Sequence, residues 1–281
     1  MRDDVLDPGR VAAAGAAWER ADALLAWYDR VRRPLPWRST RDPYALLVSE
    51  VMLQQTQAAR VIPYYEAFLA RFPDPAALAS APARDVLAAW SGLGYNRRAL
   101  SLQAAAREVA ARGWPADLSE LPGVGPYTAA AVASFAWDDQ RAAVDVNARR
   151  VIERWDRRRC TPRTLAERAA ALLPPGRAAA WNQAMMELGA TVCTARSPRC
   201  NACPVAAWCA SAGAPATAQP AVAPRPRFEE TDRYARGRIV AALLDGAALP
   251  AIDPEQLERA LAGLARDGLI VRDAAGVPAL P

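Results

Sequence analysis

The segment Leu121-Pro-Gly-Val-Gly-Pro-Tyr-Thr128 limits the possible folds of this chain more than any other. Two glycines flank a valine, after a proline and ahead of an alanine-rich helical run over 128–136. This is the composition of a tight turn between two helices. Gly123 and Gly125 suit positive φ, and with no side chain their amides can approach a ligand closely. Backbone N–H groups at a helix start attract anions, and a nucleic-acid phosphate is an extended anion that such a turn would meet. Asp145 then opens the next helical pattern, Asp-Val-Asn-Ala-Arg-Arg-Val-Ile-Glu-Arg-Trp, at the N-cap position. An ordinary helical hairpin with a capping aspartate has the same local pattern, so the rest of the chain must decide between them.

The 281 residues are 52% hydrophobic and 23% charged, which suits a globular protein of one large or two modest domains. Histidine is absent, excluding His-based triads and His-ligated metals. Lysine is absent too: all 35 basic residues are arginine, so no side-chain amine can form a Schiff base. The net charge of +5 favours a polyanionic partner. Between Arg141 and Arg163 eight arginines, Arg149 among them, face three acids; either a solvated face or a phosphate-tracking stripe has this form. The first residues lack the basic start and apolar run of a signal peptide, and no apolar stretch is long enough to span a bilayer. A cytoplasmic protein without membrane contact is expected.

Apolar residues recur at helical spacing and the breakers are Pro and Gly, so the body reads as all-α. Helices are expected over 11–33, from Tyr44 through Gln57, and at about 61–71, 75–80, 82–90, 97–112, 127–136, 145–155, 163–172 and 178–191. Glu50 lies inside the second of these, among Leu46, Leu47, Val51, Met52 and Leu53. Residues 211–227 are rich in Pro and Ala and read as a linker. The tail, 228–281, carries two amphipathic helices and a hairpin, the outline of a small winged-helix-like unit.

Cys193, Cys200, Cys203 and Cys209 follow the pattern C-x6-C-x2-C-x5-C within 17 positions. Structural zinc is the plain alternative for four clustered thiolates, but zinc sites use two short knuckles and only one pair here is that close. The wide loops suit the separated corners of a [4Fe–4S] cube better. Cys160 lies outside the group.

Together these pieces resemble the helix-hairpin-helix DNA glycosylases that carry a [4Fe–4S] cluster, and within them the A/G-specific adenine DNA glycosylases of the MutY family. The likeness runs from about residue 30 to 210, through Leu-Pro-Trp-Arg38, Ser-Glu-Val-Met-Leu-Gln-Gln-Thr-Gln57, Gly-Leu-Gly-Tyr95, the hairpin, Val-Asp-Val-Asn147, Asn-Gln-Ala-Met-Met-Glu-Leu-Gly-Ala190 and the four cysteines. It implies a six-helix barrel lobe (39–144) and a cluster lobe (1–38 with 145–210), with double-stranded DNA carrying A·8-oxoguanine or A·G mispairs as partner. A monomer working in base excision repair at the nucleoid is the corresponding expectation. By resemblance, Glu50 is the general acid that protonates adenine N7, and Asp145 is the carboxylate that stabilises an oxocarbenium-like sugar. Tyr127 and Asn147 match residues assisting around them. Arg33, Leu35, Trp37, Leu53 and Gln183 match the lining of the adenine pocket. Gln55 and Tyr95 match groups that enter the base stack, and Gly123, Val124, Gly125 and Arg149 match the DNA-contacting turn and basic helix.

Elementary chemistry agrees with that assignment. N-glycosidic cleavage needs one carboxyl as acid and one as anion, and Glu50 among apolar neighbours can be held protonated by desolvation. Extrusion of the base explains a pocket distinct from the stacking residues. Val146 stands where many relatives have glycine, and Asn96 where a second tyrosine is common. The tail is too short for a Nudix-like 8-oxoguanine-reading domain, and a chain without histidine has no Phe-Ser-His loop. A thymine glycosylase acting at G·T mismatches and a noncatalytic cluster-containing DNA-binding protein are the competing readings. The Gln-Gln-Thr-Gln57 run weighs against the first, and retention of both Glu50 and Asp145 against the second. Tyr127 occupies the lysine position of lyases in this superfamily, which implies a monofunctional enzyme.

Overall fold

The computed structural model describes residues 8–214 and 226–281, with side chains from Trp18 onward. The linker expected over 211–227 lies largely outside these residues. The described residues are all-α apart from one short ribbon, and the chain divides into two compact units, Met1–Pro43 with Pro126–Gln219 and Tyr44–Gly125 with Pro220–Pro281. No helix among the described residues is long and apolar enough to cross a membrane.

The first unit holds α1 (Pro8–Val31), a 3-10 turn at Pro36–Arg38, α7 (Pro126–Trp137), α8 (Val146–Trp155), α9 (Pro162–Leu172) and α10 (Ala178–Thr191), followed by the cysteine loop. Leu24, Tyr28, Val151, Ile152, Trp155, Trp181, Met185 and Leu188 form its core, against which Cys193, Cys203 and Cys209 pack. Trp155 and Trp181 meet with ring centroids 6.2 Å apart. Buried Asn182 in α10 accepts from the Ala143 amide at 3.0 Å and donates to the Ser134 hydroxyl at 3.0 Å and the Arg141 carbonyl at 2.8 Å. One side chain thus fixes the extended approach to α8. Gly189 lets α10 touch the start of α8, since a Cβ there would lie 2.6 Å from Cβ of Asn147.

The segment after α1 is tied to α10 by charge. Glu187, whose side chain is 1% exposed, takes Nε and Nη2 of Arg33 at 2.7 and 2.8 Å and Nη2 of Arg38 at 2.6 Å. Burial pushes the Glu187 carboxyl up, but the hydrogen bonds from Arg33 and Arg38 outweigh it and hold the group below the usual carboxylate range.

The second unit holds α2 (Pro43–Leu53), α3 (Ala58–Arg71), α4 (Pro75–Ser80), α5 (Ala83–Trp90), α6 (Arg97–Arg112) and the first half of the hairpin, with α11 (Asp232–Asp245), α12 (Pro254–Arg266), β1 (Val271–Arg272) and β2 (Pro278–Ala279). The ribbon is antiparallel, pairing Val271 with Ala279. Phe68 stacks edge-on against Phe72 and Trp90 in the core, at 5.0 and 5.9 Å. Helix starts follow local chemistry: Asp74-Pro75, Thr161-Pro162 and Asp253-Pro254 each place an N-cap acceptor before a proline with preset φ. Gly246 and Gly268, both left-handed, end the two tail helices.

Two expectations need correction. The helix expected from Tyr44 through Gln57 stops at Leu53, and Gln55 turns to φ 61° before α3 begins. The reason is tertiary. Arg98 from α6 donates to the carbonyls of Val51, Met52 and Gln54, taking acceptors that a continuing helix would use. In the hairpin turn only Gly123 takes positive φ (74°); Gly125 does not. A Cβ on Gly123 would sit 2.6 Å from Cβ of Ser101, so both torsion and packing demand glycine there, whereas at Gly125 a Cβ would meet open space.

Two outcomes check this packing. Gly189→Ala gains about 1 kcal/mol of helix propensity but overpacks the α8–α10 contact by about 1–3 kcal/mol, so its denaturation midpoint should fall; an unchanged or higher midpoint contradicts so tight a contact. Because the Glu187 carboxyl is depressed, its contribution is complete above the unfolded value of about 4.3 and lost as pH falls through the folded one. Glu187→Gln should therefore lose about 3 kcal/mol at neutral pH and show a flatter stability profile below pH ~4; a profile parallel to the wild type would rule the contribution out.

Candidate active site

Asp145 is extended (φ −84°, ψ −177°) and caps α8 with its side chain. Its Oδ1 accepts the amides of Asn147 at 3.0 Å and Ala148 at 2.7 Å, and Oδ2 accepts Nδ2 of Asn147 at 2.7 Å. Three donors fix the plane of this half-buried carboxylate. Val146 beside it is 76% exposed.

From Asp145 a continuous chain of hydrogen bonds leads to the cysteine loop. Asn147 Oδ1 accepts Nη2 of Arg150 at 2.8 Å; the same Nη2 donates to the Gly189 carbonyl at 2.7 Å and Arg150 Nε to the Cys193 carbonyl at 2.8 Å. One turn on, Arg154 donates to the Cys193 Sγ at 3.3 Å and to the Thr194 and Ala195 carbonyls. Sequence reading counted both arginines in a basic stripe and missed these roles. Their i, i+4 spacing on one face of α8 was the available signal. Arg149, also in that stripe, is half-exposed and binds Glu153 at 3.1 Å and the Cys160 carbonyl at 3.2 Å.

Cys193, Cys200, Cys203 and Cys209 line one cavity of about 300 Å³ with Arg154, Trp155, Leu188 and Val192. Cys160 is not among its walls. Burial pushes the Cys203 thiol up to about 11 against a lowering hydrogen bond from the Val205 backbone, with smaller rises from the other three sulfurs. Among the described residues no three Cys, Asp or Glu side chains converge closely enough to hold a single ion. Four thiols spaced around one cavity fit a polyatomic centre with separated corners.

Of the pocket residues expected in this unit, Gln183 meets Tyr28 and Arg33 meets Glu187. The Tyr28 hydroxyl donates to Gln183 Oε1, and the Arg38 guanidinium lies 5.4 Å from the Tyr28 ring centroid. Arg33 closes the group through Glu187, while Trp37 is buried and Leu35 half-buried nearby in sequence. Tyr28, Arg38 and Glu187 were missed, because nothing local in sequence links positions some 150 residues apart. Tyr127 directs its hydroxyl at Met186 Sδ, 3.8 Å away.

The other carboxyl is carried by the second unit. Glu50 is 6% exposed on α2, where every residue from Tyr44 to Met52 is buried. Leu53 follows half-buried. Gln55 and Tyr95 are both exposed and both adopt left-handed backbone, at φ 61° and 51°, which costs non-glycine residues of order 1–3 kcal/mol each. Arg98 holds the two turns together: its Nη2 takes the Gly94 carbonyl at 3.0 Å while Nη1 serves the end of α2. Burial lowers this guanidinium to about 10. Gly123 and Gly125 are exposed, but the Val124 side chain is buried, so only its backbone faces outward.

Residues 48–175 match the HhH-GPD superfamily of base excision DNA repair proteins, and residues 193–209 match the iron–sulfur binding domain of endonuclease III. The cysteine loop accordingly holds a [4Fe–4S] cluster. The chain is 43% identical over 286 residues to the adenine DNA glycosylase of Mycobacterium tuberculosis, covering 92% of each. It is 44% identical to that of Mycolicibacterium smegmatis, covering 90% of this chain and 93% of the relative. Among solved structures, a thermostable thymine-DNA glycosylase aligns with a TM-score of 0.66 at 30% identity, over 71% of this chain and 97% of the other. Endonuclease III trapped covalently on DNA shares the fold alone, with a TM-score of 0.60 at 23% identity, over 68% of this chain and 93% of that one. Motifs, carboxylate settings, cysteine loop and near full-length identity converge: the chain belongs to the adenine DNA glycosylase family of helix-hairpin-helix base excision repair proteins.

Proposed function

We propose that the protein hydrolyses the N-glycosidic bond of adenine mispaired with 8-oxoguanine or guanine in double-stranded DNA, without strand cleavage. The observation carrying this reading is the contrast between its two carboxyls. Glu50 is buried in an apolar helix, the setting of a general acid, and Asp145 is oriented by three N–H donors at a helix start, the setting of an anion. Glu50 protonates adenine N7 and makes the base a leaving group. Asp145 stabilises the oxocarbenium-like sugar, with Asn147 holding its orientation and Tyr127 beside the sugar. Arg33, Leu35, Trp37, Leu53 and Gln183 line the pocket for the extruded base. Gln55 and Tyr95 enter the stack it leaves, and the amides of 123–125 with Arg149 contact phosphates. Cys193, Cys200, Cys203 and Cys209 would hold the cluster, which would keep the 193–209 loop in shape beside α8. The protein acts as a monomer at the nucleoid, with residues 1–38 and 145–210 as cluster lobe, 39–144 as barrel lobe and 228–281 as an appended unit.

The likeness to a thymine glycosylase gives thymine opposite guanine as a second reading. Turnover on duplexes carrying A opposite 8-oxoguanine, A opposite G, and T opposite G separates the two; release of thymine but not adenine would overturn the proposal. Glu50→Gln should slow base release by about 10²–10⁴-fold while duplex binding persists, and normal excision by this variant would remove Glu50 from its role. With no lysine in the chain, borohydride should trap no DNA adduct. The purified protein should be brown from thiolate-to-iron absorption, and stoichiometric zinc in a colourless protein would contradict the cluster.

A further inference from the structure

Tyr95 is a large aromatic side chain left 42% exposed on a left-handed residue, a combination that needs support from its neighbours. The support is a pair of guanidiniums over the ring. Arg98, half-buried, lies 5.4 Å from the ring centroid, and Arg233 lies 4.3 Å from it. Arg233 Nη1 also donates to the Tyr95 hydroxyl at 3.3 Å. Arg98 is local, three residues along the chain; Arg233 comes from the first turn of α11, 138 positions away.

That turn is itself anchored. Thr231 caps α11 and Gln256 from α12 donates to the Thr231 carbonyl at 3.1 Å. Asp267 after α12 binds both Arg236 of α11 and Arg97 of α6, and Arg84 donates to the Leu244 carbonyl at the far end of α11. The tail unit is therefore seated on the helices that carry Tyr95, and its own buried set (Ala235, Ile239, Val240, Leu261, Leu264) keeps Arg233 in register. An exposed tyrosine otherwise flips among rotamers in ps–ns. One held by two guanidinium groups is preorganised before it meets a ligand.

We propose that Arg233 is a positioning residue, holding the Tyr95 ring in the orientation in which it enters the duplex, so that the C-terminal unit acts on DNA through this ring and not through a phosphate contact of Arg233. This rests on the reading of Tyr95 as a stack-entering residue. Arg233 is exposed, so its removal leaves the core intact.

The test is a double-mutant cycle of Arg233→Ala and Tyr95→Ala in the full chain, read as affinity for a duplex with A opposite G. The adenosine carries a 2′-fluorine, which slows N-glycosidic cleavage. Arg233→Ala alone should weaken binding about 2- to 5-fold, leave the slope of log affinity against log salt unchanged, and have no further effect once Tyr95 is alanine. Unchanged affinity, a slope shallower by about 0.9 (the signature of one lost phosphate contact), or an equal loss in the Tyr95→Ala background would each overturn it. Adenine release by the wild type from an unmodified duplex is measured alongside. Its absence would defeat the functional reading while the binding cycle still decides whether Arg233 acts through Tyr95.

Discussion

The guanidinium of Arg150 is the contact on which the first unit depends. It joins Asn147, which holds the Asp145 carboxylate, to the Gly189 and Cys193 carbonyls on the other side. Remove it, and the Gly189 and Cys193 carbonyls and the Asn147 side chain lose a donor together. The orientation of the catalytic-type carboxylate and the shape of the cysteine loop are therefore one structural problem with one solution. Gly189 serves the same junction by letting the α8 and α10 backbones meet where any side chain would intrude.

Arg98 plays the corresponding part in the second unit. It closes the end of α2 and the Gly94 carbonyl with one planar group. Lysine, a point charge on a flexible stem, could not serve four acceptors in fixed directions; a fork of five donors can. Two left-handed turns bearing Gln55 and Tyr95 are held at the cost of burying a charge, and its lowered proton affinity records that cost. A chain whose every cation is arginine has such forks to spare. The bias noted in composition thus becomes a means of construction: Arg33 and Arg38 on Glu187, Arg154 on the cysteine loop and Arg233 on Tyr95 repeat the pattern.

The two carboxyls show how little distinguishes a functional group from a structural one in isolation. Asp145 is a textually ordinary N-cap, and its bonds to two amides are those of any cap. What sets it apart is the third donor, Asn147 Nδ2, and the arginine behind it. Glu50 and Glu187 are both buried, and Glu187 is matched by two arginines that tie the segment after α1 to α10.

Much of this was readable from sequence. The helices follow from apolar periodicity and from acceptor–proline pairs such as Asp74-Pro75, the Asp145 cap from its place before a helical run, and the cysteine loop from the three spacings between its four cysteines. These are short-range matters, settled within a few residues by torsion and by side chain-to-backbone bonds. The end of α2 at Leu53, the diversion of Arg150 and Arg154 from a surface stripe into the interior, and the tail's grip on Tyr95 were decided only by tertiary structure. Each depends on which acceptor a guanidinium finds across tens or hundreds of residues, and that choice exists only once packing has brought distant backbone within about 3 Å.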